Sequence, residues 1–160
     1  MPAREIELLL ITLDQAFDKK SWHGTNLRGS LRGVTAAEAS WRPSSDRHNI
    51  WELALHAAYW KYIVRRRLVG ERRGSFPRQG SDWFERPNGC TDSDWKDDVR
   101  LLVEIHRGLR EAVAGLRASD LGVTPRGSRV SNLDMIAGVV AHDLYHTGQI
   151  QLLKRLGAKA

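Results

Sequence analysis

The sequence predicts an all-α protein, a four-helix bundle that forms one domain over residues 1–160. Four segments repeat apolar residues at steps of three and four, which is the spacing of one helix face. No strand-like alternation of comparable length competes with this pattern. A connection of about 22 residues separates the second and third helices, and it is long enough to cross a bundle, so these two helices are predicted to run parallel.

The composition is that of an ordinary globular protein. A chain of 160 residues and 18.1 kDa suits one domain with its own core, and the contents of 41% hydrophobic and 28% charged residues are typical. The single cysteine, Cys90, cannot form an internal disulfide. No apolar stretch is long enough to span a membrane, so we expect a cytoplasmic protein.

The net charge of +6 and the pI near 9.9 raise the question of nucleic-acid binding. The basic residues are spread along the whole chain, and the densest block runs from Arg65 to Arg67, followed by Arg72 and Arg73. This block falls where a helix is predicted to end, and cations there oppose the helix dipole. We therefore favour a solvated helix terminus over a phosphate-binding patch. No nucleic-acid-binding motif appears, and nucleic acid is not an expected partner.

The first two helices are predicted in the first half of the chain. In the first, the inward face carries Ile6, Leu10, Leu13 and Phe17, and Pro2 precedes it. The second is predicted from about Asp46, a candidate N-cap, to Val69. Its inward face carries Leu53, His56, Trp60 and Ile63. The connection between these helices is predicted to hold a short helical turn around Thr35 to Ala39.

The other two helices are predicted in the second half. The third runs from about Ser93 to Arg117, with an inward face of Val99, Leu102, His106, Leu109, Val113 and Leu116. The fourth starts after Ser131 or Asn132 and ends before Gly157. Its inward face carries Met135, Val139, His142, His146, Gln149, Leu153 and Leu156. Three of the four helices thus have histidine on the face predicted to pack inward.

His142 and His146 are the strongest candidate metal ligands. Their spacing of four residues places both imidazoles on one helix face, one turn apart, where they can converge on one ion. They occupy inward positions at which a bundle would ordinarily carry leucine, and buried imidazoles cost stability unless their nitrogens are satisfied. The alternative is a pair of core histidines bonded to carbonyls or water.

His56 is the third candidate ligand. It lies ~15 Å from the start of the second helix, and the midpoint of His142 and His146 lies ~18 Å from the start of the fourth. In antiparallel helices ~35 Å long, these levels nearly coincide. A site of three histidines on two facing helices is therefore predicted, although a role for His56 as a packed or hydrogen-bonded core residue remains equally open.

His106 and Gln149 are candidate neighbours of this site. By the same arithmetic His106 reaches the level of His142. Its role is then that of a fourth ligand, a base facing the substrate, or a satisfied core residue. We favour the core residue. Gln149 shares the face of the ligands one turn on, so it is equally a group that orients a substrate or ligand and a side chain that packs in the bundle.

Two aromatic residues and two further histidines complete the candidates. Trp60 and Tyr145 are possible pocket walls, although aromatic residues at helical spacing are more often core. His23 and His48 lie at or beyond helix ends, where we expect solvated side chains. His23 is also a candidate for the mouth of a pocket.

Two motifs resemble the DinB/YfiT-like superfamily of metalloenzymes. One is IWELALHAAYWKY, which surrounds His56, and the other is AGVVAHDLYHTGQIQLLKRL, which contains His142 and His146. The second is similar to the family pattern H-x-x-x-H-x-G-Q-[IL], matched by His142, His146, Gly148, Gln149 and Ile150. The connector LRGVTAAEASWRP also resembles that of the family.

The resemblance implies an up-down-down-up bundle with a long crossover between the second and third helices. It implies one zinc or nickel ion on the three histidines, a homodimer, and a small-molecule substrate such as a low-molecular-weight thiol. Three neutral ligands leave open positions on an ion, as at catalytic sites. We expect a metal-dependent transferase or hydrolase, with thiol transfer favoured by the resemblance. The alternative is a non-catalytic metal- or ligand-binding bundle.

Overall fold

The computed structural model describes residues 3–159, and over this range the chain is built of helices. An isolated bridge between Ser81 and Trp83 is the one β feature of that range. The helices are α1 (Arg4–Phe17), α2 (Leu27–Ser30), α3 (Ala36–Ser40), α4 (Ile50–Leu68), α5 (Asp92–Ala114) and α6 (Asn132–Gly157), with a 3-10 turn at Ala118–Asp120. No helix in these residues is both long and apolar enough to cross a membrane.

The start of α4 is fixed by a reciprocal pair of hydrogen bonds. The Asn49 side chain accepts from the Glu52 backbone N–H at 2.8 Å, and the Glu52 carboxylate accepts from the Asn49 N–H at 3.1 Å. This capping box satisfies two backbone donors that have no partner within the helix. The prediction of Asp46 as N-cap is therefore wrong, and its carboxylate instead accepts from the Ser44 hydroxyl in the preceding loop.

The end of α5 also differs from the prediction. The helix stops at Ala114, with Gly115 as its C-cap, instead of continuing to Arg117. The Arg117 backbone N–H donates to the Asp120 carboxylate at 2.8 Å, and this bond opens the 3-10 turn. Leu116, assigned to the inward face of this helix, therefore lies beyond it, although it still packs against the core.

The start of α6 agrees with the prediction, and its end lies one residue later. Ser131 is the N-cap and the helix includes Gly157. The prediction that Leu156 faces inward is wrong, because 43% of this residue is exposed. Between α1 and α4, the predicted helical turn is α3, with Thr35 as its N-cap. The four-residue α2 is not predicted, because so short a helix carries no periodicity.

The core consists of two clusters that join opposite ends of the long helices. One cluster combines α1 from Ile6 to Leu13 and the N-terminal part of α6 with the C-terminal parts of α4 and α5; its buried helical members are Ile6, Leu13, Val64, Leu109, Val113, Met135, Ile136 and Val139. The other combines the C-terminal end of α1 with the N-terminal parts of α4 and α5 and the C-terminal part of α6. Burial of both clusters aligns the helices side by side.

A buried carboxylate attaches the connection between α4 and α5 (residues 69–91, named the crossover below) to these helices. Asp98 on α5 accepts from Trp51 Nε1 of α4 at 2.7 Å and from Arg78 Nε of the crossover at 2.7 Å. Arg86 Nε also lies 3.0 Å from this carboxylate. Hydrogen bonds to a buried charge are the stronger kind. This anchor fixes the crossover across α4 and α5.

A second buried charge pair joins α4 to α6. Lys61 Nζ donates to the Asp143 carboxylate, and both side chains are 0% exposed. The Lys61 ammonium also lies over the Phe17 ring, 5.2 Å from its centroid. A buried pair has one well-satisfied register, so it aligns α4 with α6 next to His142.

Candidate metal centre

Three imidazoles from two helices meet between α4 and α6. The Nε2 atom of His142 lies 3.1 Å from His56 Nε2 and 3.0 Å from His146 Nε2. The ligand atoms of all three residues lie within 4.8 Å of one another. His56 and His146 are buried and His142 is half-buried. The structure thus brings together the three histidines predicted as ligands.

The outer nitrogen of His56 is held by Asp82 of the crossover. His56 Nδ1 lies 2.8 Å from the Asp82 backbone oxygen and 3.1 Å from its carboxylate Oδ1. Both oxygens are acceptors, so Nδ1 carries the hydrogen and Nε2 keeps a free lone pair. Trp60 Nε1 donates to the same Oδ1 at 2.7 Å and holds the carboxylate in place. Trp60 therefore acts on Asp82, and its ring centroid lies 6.4 Å from that of His56.

Gln149 holds the outer nitrogen of His146. Its Oε1 lies 2.6 Å from His146 Nδ1. Here too the Nδ1 atom donates, and Nε2 is left unprotonated and turned to the cluster. Histidines that bind metals ordinarily donate their other ring N–H to a carbonyl or carboxylate, as His56 and His146 do. The Gln149 carbonyl therefore contacts a candidate ligand directly.

The three converging nitrogens suit one ion. His142 Nε2 carries at most one hydrogen, so it can donate either to His56 or to His146. The Nε2 lone pair of the remaining histidine then has no hydrogen-bond partner in the cluster. A cation between the three would satisfy all of them. Nitrogens bound tetrahedrally to one zinc ion lie about 3.3 Å apart, close to the observed 3.0 and 3.1 Å. The donor set therefore fits a divalent transition-metal ion.

Burial keeps these imidazoles neutral. Loss of solvation lowers the pKa of His56 and of His146, and it lowers the pKa of His142 to about 3, helped by the neighbouring His146 and His56. Neutral imidazole is the form that binds a metal, so binding near neutral pH does not require an imidazolium to lose its extra proton.

A family model for the DinB superfamily matches residues 21–150, which include all three histidines and the crossover. The chain belongs to the DinB superfamily. The match confirms the resemblance inferred from the two motifs, and it leaves α1 and the end of α6 outside. No curated protein and no solved structure matches the chain.

In this DinB-superfamily chain the crossover supplies two site residues that sequence reasoning missed. Besides Asp82, Trp83 stacks on His56, with ring centroids 3.9 Å apart and planes 4° apart. His48 also stacks on Trp83, at 3.5 Å, and its Nδ1 lies 3.0 Å from a Glu52 carboxylate oxygen. His48 is exposed, as expected, but one face of its ring packs on Trp83.

Asp82 has an unusual backbone. Its φ of +66° is the one positive value among the non-glycine residues described, and such conformations concentrate at functional sites. This geometry turns both the carbonyl and the carboxylate of Asp82 toward His56 Nδ1. No local sequence pattern predicts this conformation of Asp82, because φ at a non-glycine residue depends on contacts made after folding. The aromatic-rich segment SDWFER is the one feature that marks this region.

The remaining candidates lie apart from the cluster or at its edge. His106 is buried and stacks on Phe17 at 3.7 Å, as favoured for a core residue, but its Nδ1 has no hydrogen-bond partner. Tyr145 is 66% exposed, with its ring 5.1 Å from that of His146. His23 is exposed and lines a surface cavity with Leu144 rather than the cluster.

Proposed function

We propose that His56, His142 and His146 hold one zinc or nickel ion in a metal-dependent transferase or hydrolase. The observation that carries this proposal is the convergence of three Nε2 atoms, two of them on rings whose Nδ1 atoms are already bonded. Membership of the DinB superfamily, which is metal-binding in general, supports it.

We also propose the up-down-down-up arrangement of a four-helix bundle made of α1, α4, α5 and α6. The two core clusters support it, because the starts of α1 and α6 pack with the ends of α4 and α5. The long crossover, residues 69–91, then runs the length of the bundle between two parallel helices. This path brings Asp82 and Trp83 alongside His56.

The residues around the histidines have distinct tasks. Asp82 and Gln149 accept the Nδ1 hydrogens and hold two rings in the ligand orientation. Trp83 covers one ring, whereas the half-buried His142 and the exposed Tyr145 mark the side open to a small-molecule substrate. A bound ion supplies Lewis acidity there, lowering the pKa of water or of a substrate thiol. A low-molecular-weight thiol is the substrate proposed from the family resemblance.

Metal content is the direct test. We expect untagged protein purified with zinc or nickel to hold about one ion per chain, and His142→Ala to lose it. His23→Ala is the matched control, because this histidine is exposed and away from the cluster. A folded wild-type protein that takes up neither metal, or a His142→Ala variant with unchanged metal content, would contradict the proposal.

A non-catalytic metal-binding bundle is the second candidate. The burial of His56 and His146, 6% and 4% exposed, favours it, because a closed site admits no substrate. The metal-loaded protein would be assayed for thiol transfer to an electrophile with a panel of low-molecular-weight thiols. Turnover that His142→Ala abolishes supports catalysis, whereas metal binding without turnover supports the second candidate.

We further propose a homodimer formed through the outer faces of α1 and α6. Leu8, Ile11 and Leu152 are 55%, 51% and 58% exposed there. A two-fold axis that sets these helices antiparallel to their copies would bring Glu7, near the start of α1, toward Arg155, near the end of α6.

Light scattering should give about twice the chain mass, and Ile11→Glu with Leu152→Glu should give the monomer mass. A wild-type monomer would contradict this.

A further inference from the structure

A cleft lined by arginines lies at the C-terminal end of α4. Two separate segments form it, the end of this helix with the residues that follow, and the loop ahead of α6. Its volume is about 600 Å³ and its principal lining residues are Ile63, Arg66, Arg67, Arg72, Arg126 and Gly127. The arginine block of the sequence is therefore more than a helix terminus, since a distant arginine joins it.

Within residues 3–159, the positive charges that line the cleft outnumber the negative ones. Its one carboxylate, Glu71, is taken by Arg65, whose guanidinium donates to both oxygens at 3.1 and 3.0 Å. Four arginines of the cleft have no carboxylate partner in residues 3–159: Arg66, Arg67, Arg72 and Arg126. Like charges held together repel one another, and a bound anion relieves that repulsion.

Arg66, which lines the cleft, and its neighbour Tyr62 each have a polar atom without a hydrogen-bond partner. The Arg66 Nε atom and the Tyr62 hydroxyl are both buried and make no hydrogen bond. The two atoms are neighbours, because both lie against Gly74. A Cβ atom built on this glycine would be 3.3 Å from Arg66 Nε and 2.5 Å from the Tyr62 hydroxyl oxygen. Buried donors without an acceptor cost stability, so Arg66 has an unsatisfied hydrogen-bonding group in addition to its uncompensated charge.

The helix dipole explains only part of this arrangement. Cations in the last turn of a helix are favourable by themselves, which accounts for Arg66 and Arg67. Arg126 lies on a separate loop, between Pro125 and Gly127, and no dipole effect of α4 places it there. Guanidinium groups converging from two segments are typical of sites that bind phosphate through paired N–H donors.

We propose that this cleft binds the phosphate group of a small molecule, such as a phosphate ester or a diphosphate. The cleft lies on the same face of α4 as His56, because Arg67 follows that residue by eleven positions, close to three full turns. The separation along the helix is about 16 Å. The cleft is therefore distinct from the histidine cluster, and its occupancy does not depend on a metal.

Pyrophosphate is the probe for this site. Titration calorimetry of the full chain at low salt should show binding by the wild type, weakened about tenfold or more in the Arg67→Gln/Arg126→Gln variant. Arg47→Gln is the control for lost charge, because Arg47 is exposed in the loop ahead of α4. It should leave the affinity unchanged within about twofold, as should His142→Ala, which separates this site from the metal site.

Three results would overturn the proposal. One is the absence of pyrophosphate binding by the folded wild type. Another is equal affinity in the wild type, the double variant and Arg47→Gln, which would show a general effect of net charge. The third is an oligonucleotide that binds through Arg67 and Arg126 and that pyrophosphate does not displace, which would make the cleft a nucleic-acid surface. Circular dichroism would establish that the double variant is folded.

Discussion

His106 is the residue whose protonation opposes folding most clearly. Burial, with Lys61 and Arg110 nearby, lowers its pKa from 6.5 to about 2. Between about pH 6.5 and pH 2, the His106 ring is protonated in the unfolded chain and neutral in the folded chain. Stability from this group is therefore fully present above pH 6.5 and is lost as the pH falls toward 2, by about 1.4 kcal/mol per unit.

Replacing His106 by phenylalanine should remove this pH dependence. The ring would keep its stacking on Phe17, and the slope of unfolding free energy against pH between 6 and 4 should decrease by about 1.4 kcal/mol per unit. Urea denaturation of metal-free protein measures it. The three histidines of the cluster contribute equally to this slope in the wild type and in His106→Phe, so they cancel in the comparison. The exposed control His23→Phe should keep the wild-type slope; an unchanged slope in His106→Phe would show that His106 titrates normally.

Gln149 contacts His146 and should act on the proposed metal site through it. Removing its carbonyl in Gln149→Ala leaves His146 Nδ1 without its acceptor, so we expect metal affinity to fall about 10- to 100-fold. Gln149→Glu keeps an acceptor and should bind much more tightly than the alanine variant. Competition with a chromogenic chelator measures these constants. Gln151→Ala, on the side of α6 that faces His23, is the control; a loss equal to that of Gln149→Ala would contradict the role.

At the scale of helices, the pair of Lys61 and Asp143 sets how α4 lies against α6. Lys61→Met or Asp143→Leu alone leaves a buried charge without its partner, and each should destabilise the protein by about 3–5 kcal/mol. The double variant removes both charges and should recover most of this loss, which urea denaturation would show. A double variant as unstable as the sum of the single ones would mean that the pair does not act as a unit.

The helices were predictable wherever periodicity or capping was strong. The α6 start at Asn132 follows from the Ser131 capping box, whereas at α4 the same chemistry at Asn49 prevailed over Asp46. The end of α5 was missed because apolar spacing continues to Leu116 after the backbone has left the helix. Apolar spacing reports which residues are buried, and it does not by itself locate a helix end.

At the scale of the whole molecule, the histidine cluster was predictable because helix rise is constant. Spacing placed His142 and His146 on one face, and counting residues placed His56 at their level. Asp82 and Trp83 were not predictable in the same way. They lie on the crossover, which has no periodicity, and its path depends on distant anchors such as Asp98. Contacts between segments far apart in sequence leave no local pattern.

Anomalous diffraction from crystals grown with zinc or nickel tests the central claim most directly. We predict one strong peak at the metal edge, about 2.0–2.1 Å from the Nε2 atoms of His56, His142 and His146. The Nδ1 atoms of His56 and His146 should still be bonded to Asp82 and Gln149. A well-ordered cluster without an anomalous peak at millimolar metal, or a peak held by other residues, would contradict the account.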